Sequence, residues 1–211
     1  MYTSYNQIAG RSLRRLSALS DAVFAIAMTL LVLEIHVPTR AAVHTERELW
    51  RALAGQSPRL ITYLLSFVTL GLYWVGQQTQ LNHLRGADRD LAWQHLAFLA
   101  AVAFMPVSTE LLAEFISFRT ALLSYWANLL ALGVLAYAGW RYAVRAGLVK
   151  DGTPVEVSRA IERRLLVGQA LYAVGAALCV INTYWSIGFI VLVQLNYALA
   201  PRIRLLSRLT A

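Results

Sequence analysis

The sequence predicts an all-α membrane protein with six transmembrane helices per subunit, and three observations predict it. Hydrophobic residues make up 58% of the 211 residues and charged ones only 14%, against about a quarter charged in a soluble domain. The charges fall in short blocks that separate six apolar segments; the fourth clears the ~20 residues a helix needs to cross the hydrocarbon, and several shorter ones reach the head groups with their polar flanks. No segment alternates with period two, so a closed barrel is excluded and helices remain. The whole chain, 1–211, reads as one six-helix domain, with spans at about 13–36, 58–80, 91–113, 119–146, 154–181 and 185–200.

The first span follows Arg11, Arg14 and Arg15. It resembles the start of a signal peptide, but Asp21 and Glu34 interrupt its two ends and no small-x-small site follows at 35–38. A retained helix is expected. After it, Thr45-Glu46-Arg47-Glu48 fits a capping box opening a short amphipathic helix with Leu49, Trp50 and Leu53. The second span ends in Gln77 and Gln78, and the third begins near Trp93, Gln94 and His95. Trp140 and Tyr142, flanking Arg141 late in the fourth span, read as an interfacial belt. Thr153-Pro154-Val155-Glu156 fits a second capping box, with proline at the first helical position, opening the fifth span. Residues 182–185 read as a tight turn, so the last two helices form a hairpin.

Six spans put the N-terminus, second loop, fourth loop and C-terminus on one side. That side holds 14 of the 19 basic residues: Arg11, Arg14, Arg15, Arg85, Arg89, the cluster from Arg141 to Arg164, and Arg202, Arg204 and Arg208. The other side holds 5. The positive-inside rule makes both termini cytoplasmic in a bacterial inner membrane. It also accounts for the net charge of +8 without nucleic acid as a partner. The single Cys179, inside an apolar run, reads as a small core side chain. The four histidines have no metal-ligand spacing, and no nucleophile–base pair or phosphate-cradling loop is present, so no enzyme activity, metal or cofactor is expected. Glu110 and Glu114, four apart, read as a solvated rim. Gln169, Gln194 and Asn196 are expected to bond across helices.

The first span carries the functional signal. At ~100° per residue, Ala22, Ile26, Thr29, Leu30 and Leu33 share one stripe, and Asp21 lies about 140° from Ile26. Asp21 therefore faces neighbouring helices, where it needs a partner. Gln77, Gln78, Trp93, Gln94 and His95 stand at its level, and Arg15 reaches it from an adjacent subunit or through a bend. The Thr29 hydroxyl is expected to bond back to the Ala25 carbonyl.

The run Arg15-x-x-x-Leu19-Ser20-Asp21, followed by Ala-Val-Phe-Ala-Ile-Ala-Met-Thr-Leu-Leu-Val-Leu-Glu-Ile, closely resembles the first helix of bacterial homologues of the lysosomal transmembrane-protein-175 potassium channel. That family's motif is Arg-x-x-x-Phe-Ser-Asp, and Leu19 stands at its Phe. Tyr73-Trp74, and Leu91–Glu114 with Met105-Pro106, resemble its second and third helices. The likeness weakens after Arg119. Two departures bear on its polar network: Gln77 and Gln78 where a His is usual, and His95 where an Asn is usual.

The resemblance implies a homotetramer whose first helices line a central pore. It implies a hydrophobic constriction at Ile26, Leu30 and Leu33, a contribution of Thr29 to potassium preference, and a structural polar motif of Arg15, Ser20 and Asp21. The implied activity is a cation channel modestly selective for potassium over sodium, with potassium as permeant and membrane lipid as surroundings. No Thr-Val-Gly-Tyr-Gly loop supplies a carbonyl filter, whereas a ring of Ile and Leu gates by dewetting. The alternative is a proton-permeable or proton-coupled cation transporter. It needs titratable groups at mid-membrane, and only Asp21 comes close.

Overall fold

A computed structural model describes residue 10 and residues 12–198. Arg11, Arg202, Arg204, Arg208 and the end of the expected sixth span at 199–200 lie outside the described residues.

Helix α1 (Leu13–Leu30) starts where the Ser12 side chain accepts from the Arg15 backbone N–H, and it tightens into a 3-10 turn over Leu31–Glu34. Helix α2 (Glu46–Gly55) has the expected capping box, with Thr45 and Glu48 each accepting from the other's backbone. Helix α3 (Ser57–Asn82) opens with Pro58 in its first turn, where a missing N–H costs nothing. Asp88 caps α4 (Arg89–Ala103), accepting from Leu91 N–H at 2.8 Å.

The third span, expected unbroken over 91–113, is interrupted at Phe104 and resumes as α5 (Met105–Glu114). Pro106 is the reason: it lacks the N–H that would bond Val102, and its ring crowds that carbonyl. Helices α6 (Arg119–Arg145), α7 (Val155–Ala177), a 3-10 turn over Leu178–Val180 and α8 (Thr183–Ala198) follow. The second expected capping box is absent. Pro154 is itself the cap residue, with ψ of 141°, and no side chain caps α7. The helix therefore begins one residue later than the box requires. The hairpin of α7 and α8 does form, and the Asn182 side chain accepts from Tyr184 N–H across its turn.

Five helical stretches among the described residues are long and apolar enough to cross a membrane: Leu13–Glu34, Ser57–Asn82, Arg89–Glu114, Arg119–Arg145 and Val155–Val180. Helix α8 has 16 described residues, about 24 Å at 1.5 Å per residue.

Loop contacts sort the ends of the bundle. The second and fourth loops are stitched by Arg85 N–H to Leu148 O and Lys150 N–H to His83 O, each 2.9 Å. Gly10 sits against Asp88 and Arg89 at the same end. At the opposite end Arg59 pairs with Glu114 and donates to Glu34 O, and Arg119 donates to Val180 O. The two sets of loops thus occupy the opposite ends that the basic residues suggested. Glu114 is a partner in an ion pair rather than only a solvated rim.

The core is assembled from Phe24, Leu31, Leu70, Val102, Met105, Leu122, Leu129 and Ile190, with Cys179 among its members. Helix α6 runs through its middle, against α4, α5 and α7. Hydroxyls and amides hold the bundle within the core. Tyr125 OH meets Ser66 and Thr69 at 3.3 Å, Thr109 donates to Ser66, and Gln194 donates to Thr69. Gln169 donates to Tyr73 OH and Leu129 O. Gln169 and Gln194 therefore do bond across helices. Trp140 is not in an interfacial belt. It is 1% exposed, packed in a second cluster with Leu16, Leu84 and Leu91, and donates to Ser158. Tyr142 OH donates to Asp88.

Candidate functional site

Helix α1 has two unlike faces. Leu16, Ser20, Phe24 and Ala27 are buried against α3, α4 and α5. On the other face Ala22, Ile26, Thr29, Leu30 and Leu33 are exposed in the single chain, Ile26 at 59% and Leu33 at 68%. The stripe that helical arithmetic isolates is thus a continuous surface with no partner among the described residues. It consists of apolar side chains around one hydroxyl, and a helix this apolar is not built to face water on its own.

Thr29 Oγ1 donates to Ile26 O at 2.8 Å. The expected acceptor was the Ala25 carbonyl. The bond runs three residues back rather than four, a spacing Thr side chains also use in helices. Either way the donor is spent on the helix's own backbone, and the oxygen lone pairs stay free on the exposed face.

Two adjacent residues tie the base of this helix to the bundle in opposite directions. Ser20 is fully buried. Its hydroxyl donates to Leu16 O at 2.8 Å, lies 2.6 Å from His95 Nε2, and accepts from Gln77 Nε2 at 3.0 Å. With the serine proton on Leu16 O, the short His95 contact requires His95 Nε2–H to be the donor. Asp21, one residue on, is exposed, and its Oδ1 accepts from Trp74 Nε1 at 2.9 Å and Gln78 Nε2 at 2.7 Å. Helix α3 thereby grips α1 with three side chains from two consecutive turns: Trp74 and Gln78 on Asp21, and Gln77 on Ser20.

The sequence brought Gln77, Gln78 and His95 to this level but did not assign them, and it left out Trp74 as a donor. The spacing contained the signal, since Trp74 and Gln78 are four apart and share a face. Trp93, also a candidate, is 61% exposed and makes no hydrogen bond to the cluster. Arg15 forms no ion pair with Asp21 within the chain. Helix α1 is unbroken between them, so six residues keep them about 9 Å apart along its axis, and the bend that would have closed the gap does not exist. Among the described residues, no three His, Cys, Asp or Glu side chains gather as metal ligands.

Comparison with known proteins converges on one family. Residues 15–106 match the model of the endosomal/lysosomal potassium channel TMEM175. A Streptomyces collinus protein named as a potassium channel is 31% identical over 80% of this chain and 82% of its own length. A Chamaesiphon minutus protein, likewise named as a potassium channel, is 33% identical over 88% of this chain and 93% of its own. The crystal structure of a lysosomal potassium-selective channel TMEM175 homologue from Chamaesiphon minutus superposes with a TM-score of 0.78 at 30% identity, covering 89% of this chain and 96% of that one. The human endosomal/lysosomal proton channel TMEM175 is 36% identical over 49% of this chain, which is 22% of the human protein.

Proposed function

Since the chain belongs to the TMEM175 family of ion channels and is a multi-pass membrane protein, we propose that it is a homotetrameric potassium channel whose α1 helices line one central pore. The observation that carries this reading is the exposed α1 stripe. One subunit offers one such face and cannot enclose a path alone, whereas fourfold symmetry closes it into a ring. In that ring Ile26, Leu30 and Leu33 form the hydrophobic constriction, which opens and shuts by wetting. Thr29 lies between them, and four hydroxyl oxygens around a narrow axis replace part of a cation's lost hydration. Potassium, less tightly hydrated than sodium, needs less replacement, so a modest preference follows.

Arg15, Ser20 and Asp21 serve as the structural motif that sets α1 in register. Ser20 and Asp21 act through the bundle, and Arg15 reaches a neighbouring subunit. Six spans put both termini in the cytoplasm of a bacterial inner membrane. Residues 1–211 form one six-helix domain, and potassium is cargo rather than cofactor. Proton permeation is the second reading. The name of the human relative favours it, and the bacterial relatives that cover most of the chain favour potassium.

The test is a disulfide at the axis. Ile26→Cys, in a protein whose native Cys179 is buried, crosslinks subunits in mild oxidant and yields dimers on denaturing gels. A monomer in native mass spectra across several mild detergents contradicts the assembly.

A further inference from the structure

A second site lies apart from the α1 stripe, none of whose residues lines it. Between α3, α6, α7 and α8 is a cavity of about 100 Å³ at the end carrying the second and fourth loops. Its walls are apolar, Leu72 and Leu165 among them, and Gly168 leaves room inside: a Cβ there would find only Tyr197 OH, at 3.9 Å. Three of the lining residues carry buried polar atoms without a hydrogen-bond partner: Gln77 Oε1, Gln169 Oε1 and Tyr197 OH. Two of the three are acceptors only, and buried acceptors without donors are rare because each is costly.

Arg164 also lines the cavity. Its guanidinium lies 5.6 Å from the centre of the Tyr197 ring, and no carboxylate pairs with it among the described residues. Glu162, two positions earlier, is taken by Arg141. Arg164 stands nine residues into α7, about 14 Å along the helix, and a long arginine at a membrane protein's loop end can reach phospholipid head groups.

An unpaired guanidinium calls for an anion, and orphaned amide oxygens call for hydroxyl donors. We propose that this cavity is a binding site for a phosphate ester that carries its own hydroxyls. The source is either an anionic phospholipid such as phosphatidylglycerol or a soluble ester such as glycerol phosphate. The phosphate binds Arg164, and the hydroxyls donate to Gln169 and Gln77. Because Gln77 also holds Ser20 of α1, an occupant touches the residue that anchors the helix carrying the exposed stripe. The binding site itself does not depend on the channel reading.

The experiment is native mass spectrometry of the purified full chain, titrated separately with phosphatidylglycerol, phosphatidylcholine of the same acyl chains, and glycerol phosphate. Phosphatidylcholine has the phosphate but no hydroxyl or N–H donor. Two variants are compared with the parent: Arg164→Gln, on an exposed side chain, and Gly168→Leu, which fills the cavity. Retention of phosphatidylglycerol at about tenfold lower concentration than phosphatidylcholine, lost in both variants, supports the site. Saturation by glycerol phosphate in the same range assigns it to a soluble ester; none assigns it to lipid. Equal retention of the two lipids means that water alone serves the orphaned atoms, and it overturns the proposal. So does either variant binding phosphatidylglycerol like the parent.

Discussion

Replacing Ser20 by alanine separates the anchor of α1 from its exposed face. The Ser20 hydroxyl is fully buried and meets Leu16 O, His95 Nε2 and Gln77 Nε2 at 2.6–3.0 Å. Leu16 O loses little, because it keeps its backbone partner in the helix. His95 and Gln77 lose an acceptor together, and an unsatisfied buried group costs about 1–3 kcal/mol. Their own approach, Gln77 Nε2 to His95 Nε2 at 2.9 Å, becomes a hydrogen bond once the His95 proton moves to Nδ1, which recovers part of that, and alanine returns a few tenths through better helix propensity. The net is a loss of about 1–2 kcal/mol, or roughly 2–8 °C in melting temperature for a chain of this size. Intrinsic tryptophan fluorescence during thermal unfolding in a mild detergent measures it. Thr29→Ala is the control: its hydroxyl bonds only its own helix, so its melting temperature stays within about 1 °C of the parent. A Ser20→Ala protein that melts with the parent would show that the Ser20–Gln77–His95 cluster does not hold α1.

Further outcomes follow from the same geometry. Ile26→Asn wets the narrowest ring and raises resting potassium flux in liposomes; unchanged flux moves the constriction elsewhere on the stripe. Asp21→Ala strands the Trp74 and Gln78 donors and loses about 1–2 kcal/mol with a shift in Trp emission, while Asp21→Asn keeps an acceptor and most of the stability. Gly133→Ala places a Cβ 1.9 Å from Gln169 Nε2. That drives Gln169 off Tyr73 and Leu129, and the melting temperature falls by several degrees.

What the sequence disclosed depended on how local the physics was. The Thr45 capping box formed because all its parts lie within four residues. The α1 stripe was legible from a single period. The Phe104 break was foreshadowed by Pro106, yet a continuous apolar run concealed it. Pro154 defeated the second capping box because its ring permits both a helical start and an extended ψ, and only the loop joined to His83 and Arg85 selects between them. Trp140 carries the same signature in a lipid belt as in a core. Leu16, Leu84 and Leu91 packing around it, and Ser158 approaching from α7, decide its place. The partners of Ser20 and Asp21 come from α3 and α4, and their assignment required the packing of three helices. The cavity beside Arg164 arises from four helices, and no sequence window contains it.

The most direct test is the reversal potential of the reconstituted protein under bi-ionic potassium and sodium conditions, recorded for the parent and for Thr29→Ala. Four hydroxyls worth about 1 kcal/mol in total discrimination give a potassium preference nearer tenfold than a thousandfold. The account predicts that preference in the parent, and in Thr29→Ala a current at least as large with the preference nearly gone. A parent that passes both ions equally, or a Thr29→Ala protein as selective as the parent, contradicts it.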